Sequence, residues 1–338
     1  SRAGLYDRWR RPKSSAEVVR RGFANWGKTP PPEPPAKPFA HKYPAEWQVD
    51  DSTPEARAKA MAFFWEHDPS MEVALWPKDK VPLKKGEGKL KLEDDEIWHK
   101  NVIVTDVNEP FFAFFPAQGA TNAPVAVVLP GGGYARLGWN KEGTEIAEWF
   151  NERGCAAAVL VYRCPDQVAA AVCDVQRAIR LLRFGAKRFG VNPNAIGVIG
   201  FSAGANLAVR AATGWKKPAY ARVDAADDVS CRPDFQMPIY LWDVLPDDFR
   251  ARKSFALKPE YPVDGETPPA FIVQAQNDFC QVETSVAYFL ALRDAKVPAA
   301  LHVYPSGGHG YGGRSIGRPT DAWPDAAALW LEDLKKSW

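Results

Sequence analysis

The chain has 338 residues, which suggests about two domains at roughly 150 residues each. With 46% hydrophobic and 25% charged residues, it has the make-up of a globular protein with a large core and not of a disordered chain. A net charge of +2, from 43 Lys+Arg and 41 Asp+Glu, offers no basic field to a nucleic acid. No stretch approaches the roughly 20 apolar residues of a membrane span.

Residues 1–50 hold eight prolines and ten Lys/Arg against five acids. Pro30-Pro31-Pro32 and Pro34-Pro35 read as an extended polyproline II segment. Trp9, Phe23, Trp26, Phe39, Tyr43 and Trp47 are costly to leave in water. A Pro-rich arm over residues 1–70 is therefore expected to dock on the body, with a role as an interface the alternative. Residue 1 is Ser and no apolar signal region follows, so a targeting segment reads as removed or trimmed away. A short helix is expected over 55–66, and the Lys- and acid-rich stretch 78–100 reads as a solvated face.

From residue 71 to 338 the pattern is that of an α/β domain. Val102–Val107 and Phe111–Phe115 read as a strand pair joined at Asn108-Glu109-Pro110. Apolar strands follow at 124–129, 155–162 and 195–200, and further strands at 235–241, 270–274 and 299–304. Helical periodicity marks 142–153, 168–189, 203–213, 284–293 and 325–336. Strands alternating with helices predict a mostly parallel, doubly wound sheet with helices on both faces.

Gly200-Phe201-Ser202-Ala203-Gly204 lies where a strand ends and a helix begins. A serine on that sharp turn projects its hydroxyl above the sheet, next to the positive end of a helix. Pro130-Gly131-Gly132-Gly133-Tyr134 follows the strand 124–129 directly. Gly132 and Gly133, with the Ala203 N–H, are the candidate donors of an oxyanion hole. A phosphate loop is disfavoured, since no Lys-Ser/Thr follows.

Serine needs a base, and of the five histidines His309 alone sits in a loop at the carboxyl edge of the sheet, within Gly307-Gly308-His309-Gly310. His41, His67 and His99 precede the α/β pattern, and His302 falls inside a strand. Asp278, after strand 270–274, is the expected acid, with Asp243 as runner-up. The order Ser202, Asp278, His309 is that of an α/β-hydrolase. Five scattered cysteines show no metal-ligand spacing, and their odd number leaves at least one unpaired, so buried thiols are expected. Neither a metal nor another cofactor is expected.

From about Val73 onward the chain resembles the α/β-hydrolase carbohydrate esterases related to acetylxylan esterases. The resemblance rests on Leu75-Trp76-Pro77, Pro130–Tyr134, Glu142-Gly143-Thr144, Asp174–Arg180, Gly200–Gly204, Arg232-Pro233-Asp234-Phe235 and His302–Tyr311. It implies removal of acetyl groups from an acetylated oligo- or polysaccharide, with Ser202 as nucleophile, Asp278 as acid and His309 as base. It also implies action outside the cytoplasm, in the periplasm or beyond. Two departures stand near the mouth of the site: Ala205-Asn206 where the group commonly shows Gly-His, and a short segment between Arg163 and Asp174.

On the sugar side, Tyr134, Trp139 and Trp242 are candidate substrate contacts, and Trp323 lies beyond the His loop. Competing readings are a feruloyl-type or general short-chain carboxylesterase, and a non-catalytic polysaccharide-binding relative. A peptidase is disfavoured, because no propeller-like repeat is visible.

Overall fold

A computed structural model describes residues 72–86, 90–95 and 101–338. The expected arm over 1–70, the helix 55–66 and His41, His67 and His99 lie outside the described residues, as does part of the stretch 78–100.

In chain order the strands are β1 (Glu72–Ala74), β2 (Lys91–Asp95), β3 (Asn101–Thr105), β4 (Phe111–Phe115), β5 (Ala123–Leu129) and β6 (Leu137–Gly138). A π-helical turn (Asn140–Thr144) leads into helix α1 (Glu145–Asn151), then β7 (Ala156–Val161), α2 (Val168–Phe184) and α3 (Ala186–Phe189). There follow β8 (Val191–Phe201), α4 (Ala203–Gly214), β9 (Gln236–Ile239) and α5 (Phe249–Arg252). The chain ends with β10 (Ala270–Ala275), α6 (Glu283–Asp294), β11 (Ala299–Tyr304) and α7 (Trp323–Lys335).

Eight strands form one sheet in the order β1-β4-β7-β5-β8-β9-β10-β11. Every neighbouring pair from β7 to β11 is parallel, and β4 runs against both β7 and β1. The order steps outward in both directions from β5, so the carboxyl ends of β5, β8, β10 and β11 converge on one edge. Both faces are covered. Phe271 and Val273 of β10 pack in a cluster with Trp323, Ala327 and Leu331 of α7. Their neighbours Ala270 and Ile272 pack with Tyr288 and Leu292 of α6 and Val209 of α4. Alternation along one strand thus feeds two layers, which explains why these strands read as continuous apolar runs.

One expectation is corrected. Residues 102–107 and 111–115 are not a hairpin: β3 pairs with β2 and β6 in a separate three-stranded antiparallel sheet, while β4 joins the main sheet beside β7. The five consecutive apolar residues of β4 need cover on both sides, and only the main sheet provides it. The small sheet has its own task. It grips the chain beyond the glycine loop, through Trp139 N–H to the Val102 carbonyl (2.8 Å) and Gly138 N–H to Gly131 O (3.0 Å).

A buried ion pair anchors the N-terminal strand region. Asp174 on α2 accepts from the Arg163 guanidinium (2.7 Å), the Arg163 N–H (3.1 Å) and the Trp76 indole (2.8 Å). Arg163 also donates to the carbonyls of Pro82 and Ala170, so both charges are fully used. All five cysteines are buried and free. Removing one member strands the other without solvent. Asp174→Ala should therefore lower the unfolding free energy by about 3–5 kcal/mol, while a paired Arg163→Met/Asp174→Leu exchange costs much less, both read from urea midpoints.

Candidate active site

Ser202 occupies the turn between β8 and α4 with φ 54° and ψ −116°, a strained conformation for a residue with a side chain. Its N–H is tied to the Ile239 carbonyl of β9 (3.1 Å), and its own carbonyl accepts from Asn206 (3.0 Å). The flanking glycines are steric necessities. A Cβ on Gly200 would fall on the Gly204 carbonyl, and one on Gly204 would fall on the Leu129 carbonyl of β5. The strand and helix can come this close only without side chains there.

His309 Nε2 lies 2.8 Å from Ser202 Oγ, and its Nδ1 lies 2.9 and 2.8 Å from the two Asp278 oxygens. An ionised carboxylate only accepts, so Nδ1 carries the proton toward Asp278 and Nε2 is free to accept from the serine hydroxyl. Asp278 is buried and further held by the Cys280 N–H (2.7 Å) and the Gln274 amide (3.1 Å), itself fixed by Ser285 (3.0 Å). Asn277 accepts from the N–H groups of Gly307 (3.1 Å) and Gly308 (2.9 Å), stitching the acid turn to the histidine loop. Asp243, the alternative acid, is instead paired with Lys258 at 2.5 Å. His302 packs against Phe271 and Tyr304, away from this edge, and burial pushes its pKa down.

The loop Gly131–Gly133 runs beside the serine. A Cβ built on Gly131 would lie 3.0 Å from Ser202 Cβ. Gly132 turns the chain, its carbonyl accepting from Ala135 (3.1 Å) and Arg136 (3.2 Å), and Gly132 and Gly133 have φ 138° and 65°. Among the described residues the N–H groups of Gly132, Gly133 and Ala203 meet no protein acceptor, which leaves three donors for an external oxygen.

Behind this loop lies a brace formed by the first residue of the Glu142-Gly143-Thr144 motif, whose role the sequence did not reveal. Glu142, buried in the turn before α1, accepts from Gly131 N–H (2.8 Å) and from Tyr240 OH (2.6 Å). The same hydroxyl accepts from Gly312 N–H of the histidine loop (3.1 Å), and the Tyr240 ring packs 4.9 Å from the imidazole. One carboxylate thus connects the glycine loop, the end of β9 and the histidine loop. In the sequence Glu142 stands in a motif at the start of a helical stretch, with no sign of its partners.

The structure redistributes the aromatic candidates. Trp139 and Trp323 are only 6% and 2% exposed, so neither presents a face to a sugar. Trp323 instead donates from its indole to the Gly312 carbonyl (2.9 Å), holding the histidine loop. Tyr134 is buried too. Its hydroxyl donates to Asn206 (2.9 Å), its ring leans on Tyr162, and burial drives its pKa up, so it anchors the glycine loop. Asn206 in turn donates to Trp242 O (3.0 Å) and Tyr261 OH (2.8 Å), filling its place without strain. Only Trp242, at 36% exposure, faces outward.

Asp278, Cys280 and His309 offer atoms within 4.8 Å of one another, close enough to suggest a cation. The donors argue otherwise. Burial and the neighbouring Asp278 push the Cys280 thiol up to about 12, so it stays protonated near neutrality, and the carboxylate is already committed to His309 and Cys280 N–H.

Sheet order, the strained serine turn and the hydrogen-bonded Ser-His-Asp chain define the α/β-hydrolase fold class. Two family profiles match, BD-FAE over residues 113–230 and the prolyl oligopeptidase family over 174–323. The chain is similar in sequence to two bacterial enzymes. It is 30% identical over 221 residues to an acetylxylan esterase of Xylanibacter ruminicola, covering 59% of this chain and 43% of the relative. It is also 30% identical over 208 residues to endo-1,4-beta-xylanase B of Butyrivibrio fibrisolvens, covering 54% of this chain and 32% of the relative. The matches thus span less than half the length of either curated relative. Among solved structures it is similar to an acetyl ester-xyloside bifunctional hydrolase of Caldicellulosiruptor lactoaceticus (TM-score 0.63, 29% identity, 78% of this chain and 96% of that one). The esterase Est2 of Thermogutta terrifontis shares the fold (TM-score 0.55, 21% identity, 72% and 90%).

The Glu142 brace makes a separable claim on stability. Glu142→Ala leaves Gly131 N–H and Tyr240 OH without their acceptor, at about 1–3 kcal/mol per stranded buried group. Glu142→Gln, whose amide oxygen still accepts, should recover part of that loss in thermal and urea melts.

Proposed function

We propose that this chain is a serine carboxylic-ester hydrolase that removes acetyl groups from an acetylated carbohydrate through an acyl-enzyme. The observation that carries the reading is His309, which bridges Ser202 Oγ at 2.8 Å and Asp278 at 2.8 Å. Ser202 Oγ attacks the ester carbonyl as its proton passes to His309 Nε2. The carbonyl oxygen becomes an anion facing the N–H groups of Gly132, Gly133 and Ala203, which are oriented before reaction and so need no reorganisation. The carbon–oxygen bond to the alcohol then breaks, and His309 returns the proton to the departing oxygen. A water molecule, deprotonated by His309, attacks the acyl carbon; the bond to Ser202 Oγ then breaks, His309 returns the proton to Oγ, and the carboxylic acid leaves. Asp278 keeps the imidazole in the required tautomer and stabilises its cation.

The acetyl and carbohydrate parts of the proposal rest on the similarity to the Xylanibacter ruminicola acetylxylan esterase and the Caldicellulosiruptor lactoaceticus hydrolase. The same similarity supports a place outside the cytoplasm. Among the described residues no helix is long and apolar enough to cross a membrane.

Ser202→Ala should lose about 10⁴–10⁶ in turnover while keeping the fold, and should no longer be labelled by a fluorophosphonate. Acetate release would be measured over acetylated xylan, pectin and mannan beside aryl-acyl sugars. A wild-type enzyme that cleaves only aryl-acyl esters would replace the acetyl reading with the feruloyl-type one.

A further inference from the structure

We propose that Phe279 is the platform for the alcohol portion of the ester, with Trp242 as a second exposed aromatic on the neighbouring chain segment, and that it selects an alcohol whose ring offers an apolar C–H face, such as a pyranose. The proposal deepens the esterase reading above and rests on it. Phe279 directly follows Asp278, is 73% exposed, and its ring lies 4.5 Å from the imidazole of His309. One ring face is thus steadied by the imidazole while most of the side chain stands in water. Exposed aromatic surface at a reactive centre is unfavourable in the free protein and becomes favourable once a ligand covers it.

Trp242 stands on the chain segment next to the turn after Asp278. Thr284 Oγ1 donates to the Leu241 carbonyl (2.7 Å) and lies 2.9 Å from the Gln281 carbonyl. The chain leaving β9 and the turn after Asp278 therefore run side by side, and each contributes one exposed aromatic residue. The turn is held in place by Cys280 N–H to Asp278, and Trp242 by its carbonyl bond to Asn206, so both side chains project from fixed backbone.

The chemistry decides which half of the substrate meets them. In the proposed reaction the acyl oxygen points to the N–H groups of the glycine loop and Ala203. The alcohol oxygen must instead lie at His309 Nε2, which protonates it as it leaves. The Phe279 ring, in contact with the imidazole and tilted 46° to it, is therefore assigned to the alcohol side. Phe279 has no polar atom to satisfy and few torsions to freeze, so it suits the C–H face of a sugar or another saturated ring.

The test compares kcat/KM for cyclohexyl acetate and ethyl acetate by pH-stat, in the wild type, Phe279→Ala and Phe279→Trp. Phe279→Ala should lower the cyclohexyl-to-ethyl ratio about tenfold, mainly through KM, and Phe279→Trp should restore most of it. An unchanged ratio, or an equal loss on both esters, would overturn the platform and leave Phe279 as a shield for His309. Acetylated xylo-oligosaccharides form a third arm. If the ratio falls but the wild type releases no acetate from them, the platform stands and the carbohydrate reading fails. A wild type that cleaves neither the simple acetates nor the acetylated xylo-oligosaccharides overturns both.

Discussion

The catalytic edge of this molecule depends on one buried carboxylate. Glu142 sits between two groups that would otherwise be orphaned: the Gly131 N–H and the Tyr240 hydroxyl. Through them it fixes the distance between the glycine loop and the histidine loop, which arrive from opposite halves of the chain. Inside the protein such hydrogen bonds are strong because no water competes, and for the same reason each is costly to lose. The histidine loop has further supports in Trp323, through Gly312, and in Asn277, through Gly307 and Gly308. A loop carrying several glycines is thereby held as tightly as an element of regular structure.

That rigidity has a purpose, because the serine turn is itself strained. A side-chain-bearing residue at φ 54° and ψ −116° persists only where its surroundings over-determine it. Here the constraint is the contact of β8, α4 and β5, so close that Gly200 and Gly204 admit no Cβ. The same closeness brings the start of α4, with its unpaired Ala203 N–H, up to the glycine loop. Strain at Ser202 and the unpaired Ala203 N–H beside the glycine loop are two consequences of one close approach.

Much of this was legible in the sequence. Ser202, Asp278 and His309 each follow an apolar strand, and a parallel sheet brings such positions to one edge whatever the loops do, so strand periodicity and chain order suffice to pair them. What could not be read was anything that depends on which face or sheet a residue joins. Val102–Val107 and Phe111–Phe115 look like a hairpin because they are adjacent, yet the need of β4 for cover on both faces sends them to different sheets. Glu142 falls in a motif, but its task could not be read because its partners, Gly131 and Tyr240, are 11 and 98 residues away. Phe279 carries no motif at all, and only its contact with the imidazole distinguishes it.

The aromatic residues show how composition can mislead. A count of 13 tryptophans invites a sugar-binding reading. Two of the described ones act as structural pins, each using an N–H at the end of a large apolar body. Trp76 uses it on Asp174 and Trp323 on Gly312, each joining a distant segment to the core at a polar point that Phe could not satisfy. Recognition of a ring needs the opposite arrangement, an apolar face left open on fixed backbone. Among the aromatics near the triad, Trp242 and Phe279 have it. The site is therefore lean in exposed aromatic surface despite the rich composition, and the platform proposed for the alcohol portion rests on two side chains and the loops that hold them.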